Sequence, residues 1–395
     1  MSLASAPEIE EDNSSARPEV SVVVPCLNES KTLRPVIECA TRAFKQYGFR
    51  GEVIVANNGS TDDSKDIAVS CGARVVDVPQ KGYGSALIGG IQAARGSYVI
   101  FGDADDTYDF MEIDRFVRAL KDGNDFVMGT RLKGTIEDNA MPELHRYFGT
   151  PILTFLINHF FKTRISDCNC GLRGFSKEAF AKMDVHSTGM EFASEMIIKA
   201  GLLKLKMTEV PVTLRVDMRG RLPHLRTWQD GWRHLRFIIA YATDQILLWP
   251  GLISIFVGII GMVLVGRAPT TVYGFHMDYH FLFPSALCII LGTQLILFTF
   301  LAKTYTGLAK YDLKFRRLGR HMNVEATMIF GLVLFLVGLA INAEIMLVWL
   351  RNYGHELFAV RPAVIAVTLM ATGAQIFFNA FFIGVLEIPQ RLNIE

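Results

Sequence analysis

Between residues 246 and 386 the sequence runs four times through a long, almost purely apolar stretch, and no other feature limits the possible folds so strongly. The stretches cover about 246 to 266, 281 to 302, 326 to 350 and 363 to 386. A bilayer core is crossed by a helix of roughly 20 apolar residues, so each is expected to span a membrane. Residues 245–395 therefore read as a membrane domain with four transmembrane helices. The apolar excess is confined there. Residues 20 to 240 mix charged and apolar positions as a globular domain does, and the net charge of the 395-residue chain is only +1.

Charge placement gives an orientation. The loop after the second stretch carries Lys303, Lys310, Lys314, Arg316, Arg317 and Arg320, whereas the loops at 267 to 280 and 351 to 361 hold few positive charges. The positive-inside rule then puts that loop, both termini and the globular domain on the cytoplasmic side of an inner or plasma membrane. Residues 1–19 are acidic and polar without an apolar h-region, and are expected to be a disordered tail rather than a signal peptide. The six cysteines are scattered, and only Cys168 and Cys170 are close. A single Cys-x-Cys without clustered histidines is a weak metal signal, so buried thiols are expected.

From Val20 onward short β-branched runs alternate with amphipathic stretches. VSVVV (20 to 24), EVIVA (52 to 56), RVVDV (74 to 78) and SYVIFGD (97 to 103) read as strands, followed by helices beginning near Lys31, Asp63, Ser85 and Met111. This alternation implies an α/β, Rossmann-like, mostly parallel sheet with helices on both faces. Ligands of such sheets bind beyond the carboxyl ends of the strands. Three of those ends are polar: PCLNES, NNGSTDDS and DADD. Any one is ordinary turn chemistry. Three in one sheet favour a shared crevice.

In that crevice Asp103 and Asp105 offer carboxylates to one hard cation, Mg²⁺ or Mn²⁺, which completes its shell with water and phosphate oxygens. A nucleotide diphosphate held through the metal fits this donor set. Asp109 reads instead as a cap of the helix near Met111, where negative charge is favoured. Arg131 and Arg173 each follow a strand and suit phosphate, since guanidinium forks bind it bidentately, although surface ion pairing would look the same.

Taken in order, VVVPCLNE, NNGSTDDS, KGYGSAL, DAD, GTR and DCNCGLRGFS resemble the GT-A fold, family 2 glycosyltransferases, and among them the polyprenyl-phosphate (dolichol-phosphate) hexose synthases. The resemblance covers about residues 20 to 245 and implies a cytoplasmic GT-A domain over 20–225. It implies that Pro25, Asn28 and Glu29 cradle the nucleotide, that Asn57 and Asn58 stand where the family usually has an Asp-Asp pair, and that Lys81 contacts the nucleotide or its phosphates. Asp103, Ala104 and Asp105 match the family's DxD, with Asp105 the direct metal ligand, and Thr107 replaces a frequent Gln. Asp167 matches the aspartate that orients or activates the acceptor. Since an amide both donates and accepts whereas a carboxylate only accepts, uridine and guanosine donors both remain open.

The implied activity is a metal-dependent, inverting hexosyltransferase moving sugar from a UDP- or GDP-linked donor to polyprenyl phosphate. A phosphomonoester acceptor is already ionised near neutral pH and needs positioning more than deprotonation. Glu191 and Glu195 share a helical face that is either acceptor-side or solvated. Residues 226–244 place Trp228, Trp232, Leu235 and Ile239 on one stripe and read as an interfacial amphipathic helix, with TPILTFLINHFFKT (150 to 163) as a second. RGRLPHLR supplies Arg219, Arg221, His224 and Arg226 near the headgroups. The expected partners are the nucleotide-diphosphate sugar, the lipid phosphate and the membrane, with a homo-oligomer left open and no nucleic acid.

Three other readings compete with this one. GYGSAL imitates a dinucleotide fingerprint, but Leu87 takes the third glycine position and the motif follows the third strand. Processive polysaccharide synthases carry Gln-x-x-Arg-Trp, whereas Gln229 is followed by Trp232 and Arg233 in reversed order. A non-enzymatic lipid-carrier transport or assembly protein with a nucleotide-binding head is the third.

Overall fold

The computed structural model describes residues 17–218, 227–307, 323–355 and 357–387. The chain divides into two compact units, Met1–Ile238 and Ile239–Glu395. Most of the expected tail, the RGRLPHLR segment and most of the basic loop after the second span lie outside the described residues. Glu19, placed in the tail by the sequence reading, is fixed: its N–H donates to the Arg50 carbonyl at 2.7 Å and its carboxylate pairs with Lys121, also at 2.7 Å.

The first unit is built on a seven-stranded sheet of order β3-β2-β1-β4-β6-β5-β7. The strands are β1 (Val20–Cys26), β2 (Gly51–Asn57), β3 (Arg74–Asp77), β4 (Tyr98–Phe101), β5 (Phe126–Ile136), β6 (Arg173–Ser176) and β7 (Met207–Leu214). All pairings are parallel except those of β6, which runs antiparallel to both β4 and β5. β1 is buried along its whole length, as a strand covered on both faces must be, and this is why it reads as an unbroken β-branched run. Helix α1 (Leu33–Tyr47) buries Leu33, Val36, Ile37, Ala40, Ala43 and Phe44, spacings that place one face on the sheet. Helices α2 (Ser64–Ser70), α3 (Tyr83–Ala93) and α4 (Ile113–Lys121) follow β2, β3 and β4. The fold is thus the GT-A arrangement with a mostly parallel sheet.

Three consequences position a site. β1 lies between β2 and β4, so the polar segments after these strands emerge side by side. Cys26 stands opposite Asn57, and the Asn58 N–H donates to the Cys26 carbonyl at 2.9 Å. Because β6 is antiparallel, the loop before it arrives at that same end of the sheet, with Arg173 opposite Phe101.

Helices α5 (Thr150–Phe161), α6 (Lys177–Met183) and α7 (Phe192–Leu202) follow in this unit, and α8 (Thr227–Tyr241) runs past its last residue, Ile238. On α5 the side chains of Thr150, Thr154 and Ile157 are buried, while Ile152 and Phe155 stay exposed, Phe155 at 64%. α8 buries His234 and Ile238 and exposes Trp232 at 60%. Both are two-faced helices whose outer apolar side is exposed among the described residues.

The second unit holds four helices long and apolar enough to cross a membrane: Asp244–Val265, Tyr279–Tyr305, Val324–Arg351 and Val360–Leu386. Large apolar side chains such as Phe256, Val263, Phe330 and Phe378 are exposed on them, which suits lipid and not water. The chain is a membrane protein. Without a hydrophobic drive between helices in lipid, close approach at small residues supplies the packing. A Cβ on Gly251 would come within 2.9 Å of the Gly292 carbonyl, and one on Gly373 within 2.5 Å of the Phe335 nitrogen and 2.6 Å of the Gly331 carbonyl. Asp244 pairs with Lys303 at 2.6 Å, joining the start of the first span to the end of the second.

Gly373→Leu is expected to force the third and fourth spans apart, at a cost of about 1–3 kcal/mol for overpacking. A lower melting temperature of the detergent-solubilised chain reads this out; an unchanged one would contradict the packing described.

Candidate functional site

The crevice floor is made where β1 and β2 end. Asn28 adopts a left-handed backbone (φ 59°), which lets its Oδ1 accept the Thr61 N–H at 2.8 Å while its own N–H donates to Ser60 Oγ at 3.0 Å. Glu29 is buried, its N–H held by Ser64 Oγ at 2.9 Å. Pro25 lies within the buried strand, one residue before its end.

Asn57 and Asn58 are buried too. Asn57 Oδ1 accepts the Ser60 N–H at 2.9 Å and Nδ2 donates to Asp77 at 2.7 Å. Asn58 Nδ2 donates to the carbonyls of Val78 (3.1 Å) and Gln80 (2.7 Å), and its Oδ1 accepts the Gly82 N–H at 2.8 Å. A carboxylate cannot donate, so an Asp at 58 would lose both carbonyl contacts. The amides thus serve to hold the β3 end and the following loop, a task that the family resemblance did not imply. Lys81 shares it: its Nζ donates to the Asn58 carbonyl at 2.8 Å.

At the end of β4, Asp103 Oδ1 accepts the Tyr83 hydroxyl at 2.9 Å. Ala104 and Asp105 are buried, and Asp105 Oδ1 accepts from Thr107 twice, from Oγ1 at 2.6 Å and from N–H at 3.2 Å. Thr107, a departure from the family pattern, is therefore what orients Asp105. Asp106 has a left-handed backbone (φ 61°) and lies 3.9 Å from Arg215; burial raises its pKa, the guanidinium opposes that, and Asp109 and Asp105 reinforce it. Asp109 accepts the Met111 N–H at 2.9 Å and pairs with Arg215, as expected of a helix-end acid.

Arg131 and Asp167 form one unit. Arg131 Nε and Nη2 grip Asp167 at 2.7 and 2.8 Å, and the N–H groups of Arg131 and Asn169 add contacts at 3.1 and 3.2 Å. Asp167 is fully buried. Burial alone would lower the Arg131 pKa, but Tyr108 and Asp167 raise it well above the ordinary value. The carboxylate thereby fixes the orientation of the guanidinium.

Arg173 departs from expectation. It is fully buried and donates to the carbonyls of Cys170 (2.9 Å), Cys168 (2.8 Å) and Ala193 (2.6 Å). A guanidinium enclosed in this way does not reach a phosphate; it shapes the 168–172 loop. Glu195 departs likewise from both of its readings. It is buried, paired with Lys199 at 2.6 Å and accepts the N–H groups of His186 (3.1 Å) and Ser187 (2.7 Å). Burial pushes the thiols of Cys168 and Cys170 up to about 11 and about 12, so both are neutral packing groups.

Sequence reasoning missed Tyr83, Tyr108 and Arg215. Tyr108 accepts the Gly171 N–H at 2.8 Å. The only signal for the two tyrosines is their place inside KGYG and DADDTYD, beside Lys81, Asp103 and Asp105. Among the described residues no three His, Cys, Asp or Glu side chains converge as a metal group. The chain thus offers two neighbouring carboxylates, a set that suits a hard cation taking its remaining oxygens from phosphate and water.

Against known proteins, residues 21–184 match the family described as Glycosyl transferase family 2, and residues 300–387 match the Glycosyltransferase family 2 C-terminal transmembrane region. The chain is 34% identical over 377 residues to the low-salt glycan biosynthesis hexosyltransferase Agl6 of Haloferax volcanii, covering 95% of this chain and 90% of that one. It is 28% identical over 198 residues to a dolichyl-phosphate hexose transferase of the same organism, covering 50% of this chain and 83% of the relative. Among solved structures, glucosyl-3-phosphoglycerate synthase from Mycobacterium tuberculosis, in complex with Mn²⁺, UDP and glucosyl-3-phosphoglycerate, is similar at a TM-score of 0.45 and 23% identity, covering 57% of this chain and 79% of that one.

Removing one partner of a buried ion pair strands the other, at a cost of about 3–5 kcal/mol. Asp167→Asn is therefore expected to lower the melting temperature by several degrees. A melt like that of the unsubstituted protein would show that the Arg131 pair carries no such weight.

Proposed function

The chain belongs to glycosyltransferase family 2 and is a membrane-bound glycosyltransferase, and we propose that it moves a hexosyl group from a UDP- or GDP-linked sugar to a polyprenyl phosphate on the cytoplasmic face of an inner or plasma membrane, with inversion at the anomeric carbon. The observation that carries this reading is the placement of Asp103 and Asp105 directly after β4, the neighbour of β1 in the sheet, in a chain whose second unit is built for lipid.

The donor's nucleotide is cradled by the Pro25 to Glu29 turn and the wall formed by Asn57, Asn58 and Lys81. Asp103 and Asp105 would hold Mg²⁺ or Mn²⁺, which supplies charge stabilisation for the leaving diphosphate. Arg131, kept cationic and oriented by Asp167, attracts the acceptor phosphate. No strong base is required, since that phosphate is ionised already. Lipid access is supported by the exposed apolar faces of α5 and α8, which suit the headgroup boundary. α5 is also tied to the acceptor-side loop: the Cys168 N–H donates to Thr154 Oγ1 and the Asn169 side chain to Thr150 Oγ1, both at 3.2 Å. The lipid-phosphate acceptor also agrees with the activity named for the dolichyl-phosphate relative.

Purified protein incubated with Mg²⁺ or Mn²⁺, polyprenyl phosphate and a panel of labelled UDP and GDP sugars is expected to give organic-phase label from one donor. Asp105→Ala is expected to reduce it by about 10²-fold or more, the scale for losing a charge-stabilising group. No label and no donor hydrolysis from any sugar would sink the proposal; a long polymer would redirect it to chain synthesis.

A further inference from the structure

We propose that Tyr83 is a positioning residue of the donor site, holding the Asp103 carboxylate in one orientation between its own hydroxyl and the bare α-carbon of Gly171. The inference rests on the reading of Asp103 and Asp105 as the metal and diphosphate site. It assigns to the tyrosine of KGYG a task distinct from nucleotide contact.

Three observations support it. Tyr83 opens α3 and its hydroxyl donates to Asp103 Oδ1 at 2.9 Å, so a side chain from the helix after β3 reaches the end of β4, three places away in the sheet. The flanking glycines fix where Tyr83 begins. Gly82 has φ 130°, and a Cβ there would lie 2.2 Å from the Thr188 carbonyl oxygen; a Cβ on Gly84 would lie 2.2 Å from the Ser187 carbonyl oxygen. The 187–189 segment thus packs directly on this backbone, and the Ser85 N–H donates to the Thr188 carbonyl at 3.1 Å. Glu195, through the N–H groups of His186 and Ser187, anchors the segment from behind.

On the opposite side, a Cβ on Gly171 would stand 2.4 Å from Asp103 Oδ2 and 3.0 Å from the Tyr108 ring. Gly171 is itself pinned by its N–H bond to the Tyr108 hydroxyl at 2.8 Å. Asp103 therefore sits in a slot with one wall from α3 and the other from the 168–172 loop. A phenol suits the first wall because it donates one hydrogen bond and adds no charge. Groups that orient a ligating carboxylate typically change metal affinity about 10–100-fold when removed.

The test is Tyr83→Phe, which keeps the ring and deletes the hydroxyl. Mn²⁺ binding is titrated by electron paramagnetic resonance with UDP or GDP present, alongside the metal concentration giving half-maximal transfer. Y83F is expected to weaken Mn²⁺ binding about tenfold, to shift the half-maximal metal concentration equally, and to recover most turnover at saturating Mn²⁺. Gly171→Ala, which crowds Asp103 from the other side, is expected to weaken binding in the same direction and carries the test should Y83F not fold. Unchanged Mn²⁺ affinity in Y83F, while Asp105→Ala loses it, would overturn the role of Tyr83 alone. Unchanged affinity in all three variants would overturn the metal reading beneath it.

Discussion

Everything at the polar end of the first unit depends on β1 being hydrogen-bonded in parallel to both β2 and β4. A parallel pair cannot be joined by a tight turn, so each strand must be followed by a loop and a crossover helix. Three such loops are thereby delivered to the same edge, one from each of three adjacent strands. The antiparallel insertion of β6 adds a fourth segment there by reversing direction once. Burial of β1 on both faces fixes the register, because slipping one residue would carry its polar ending into the core.

What this geometry gathers is a set of polar side chains that orient one another. Thr107 holds Asp105, Tyr83 holds Asp103, Asn58 holds the loop carrying Tyr83, and Asp167 holds Arg131. A buried polar group without a partner is costly, and a crevice of preset carboxylates and cations must satisfy each from its surroundings. The same requirement explains Arg173, whose guanidinium binds three carbonyls to form the loop that bears Gly171 and Asp167. Those three contacts give the loop its shape.

Much of this was legible in the sequence, for identifiable reasons. β1 read directly because a strand covered on both faces needs apolar, β-branched residues throughout, and the spans read directly because lipid tolerates little else. Asp109 was assigned to the following turn, where it caps Met111. Arg173 was misread because an arginine beside a strand looks the same whether it faces a crevice or turns inward; only tertiary structure brings the Ala193 carbonyl to it. Glu195 failed similarly, since its partners at His186 and Ser187 lie outside its helix. The four-residue β6, RGFS, carries no mark of its direction. Helical spacing did mark the two-faced α8, where Trp232 is exposed, although Trp228 contributes no described side chain.

The ends of β1, β2 and β4 are proposed to form one donor-diphosphate site. Crystals grown with Mn²⁺ and a nucleoside diphosphate, with diffraction recorded at the manganese absorption edge, test it most directly. An anomalous peak is expected beside Asp103 and Asp105, with diphosphate density joined to it and the nucleoside over the Pro25 to Glu29 turn. A manganese and diphosphate bound elsewhere on the chain, with the Asp103 and Asp105 carboxylates bare, would contradict it.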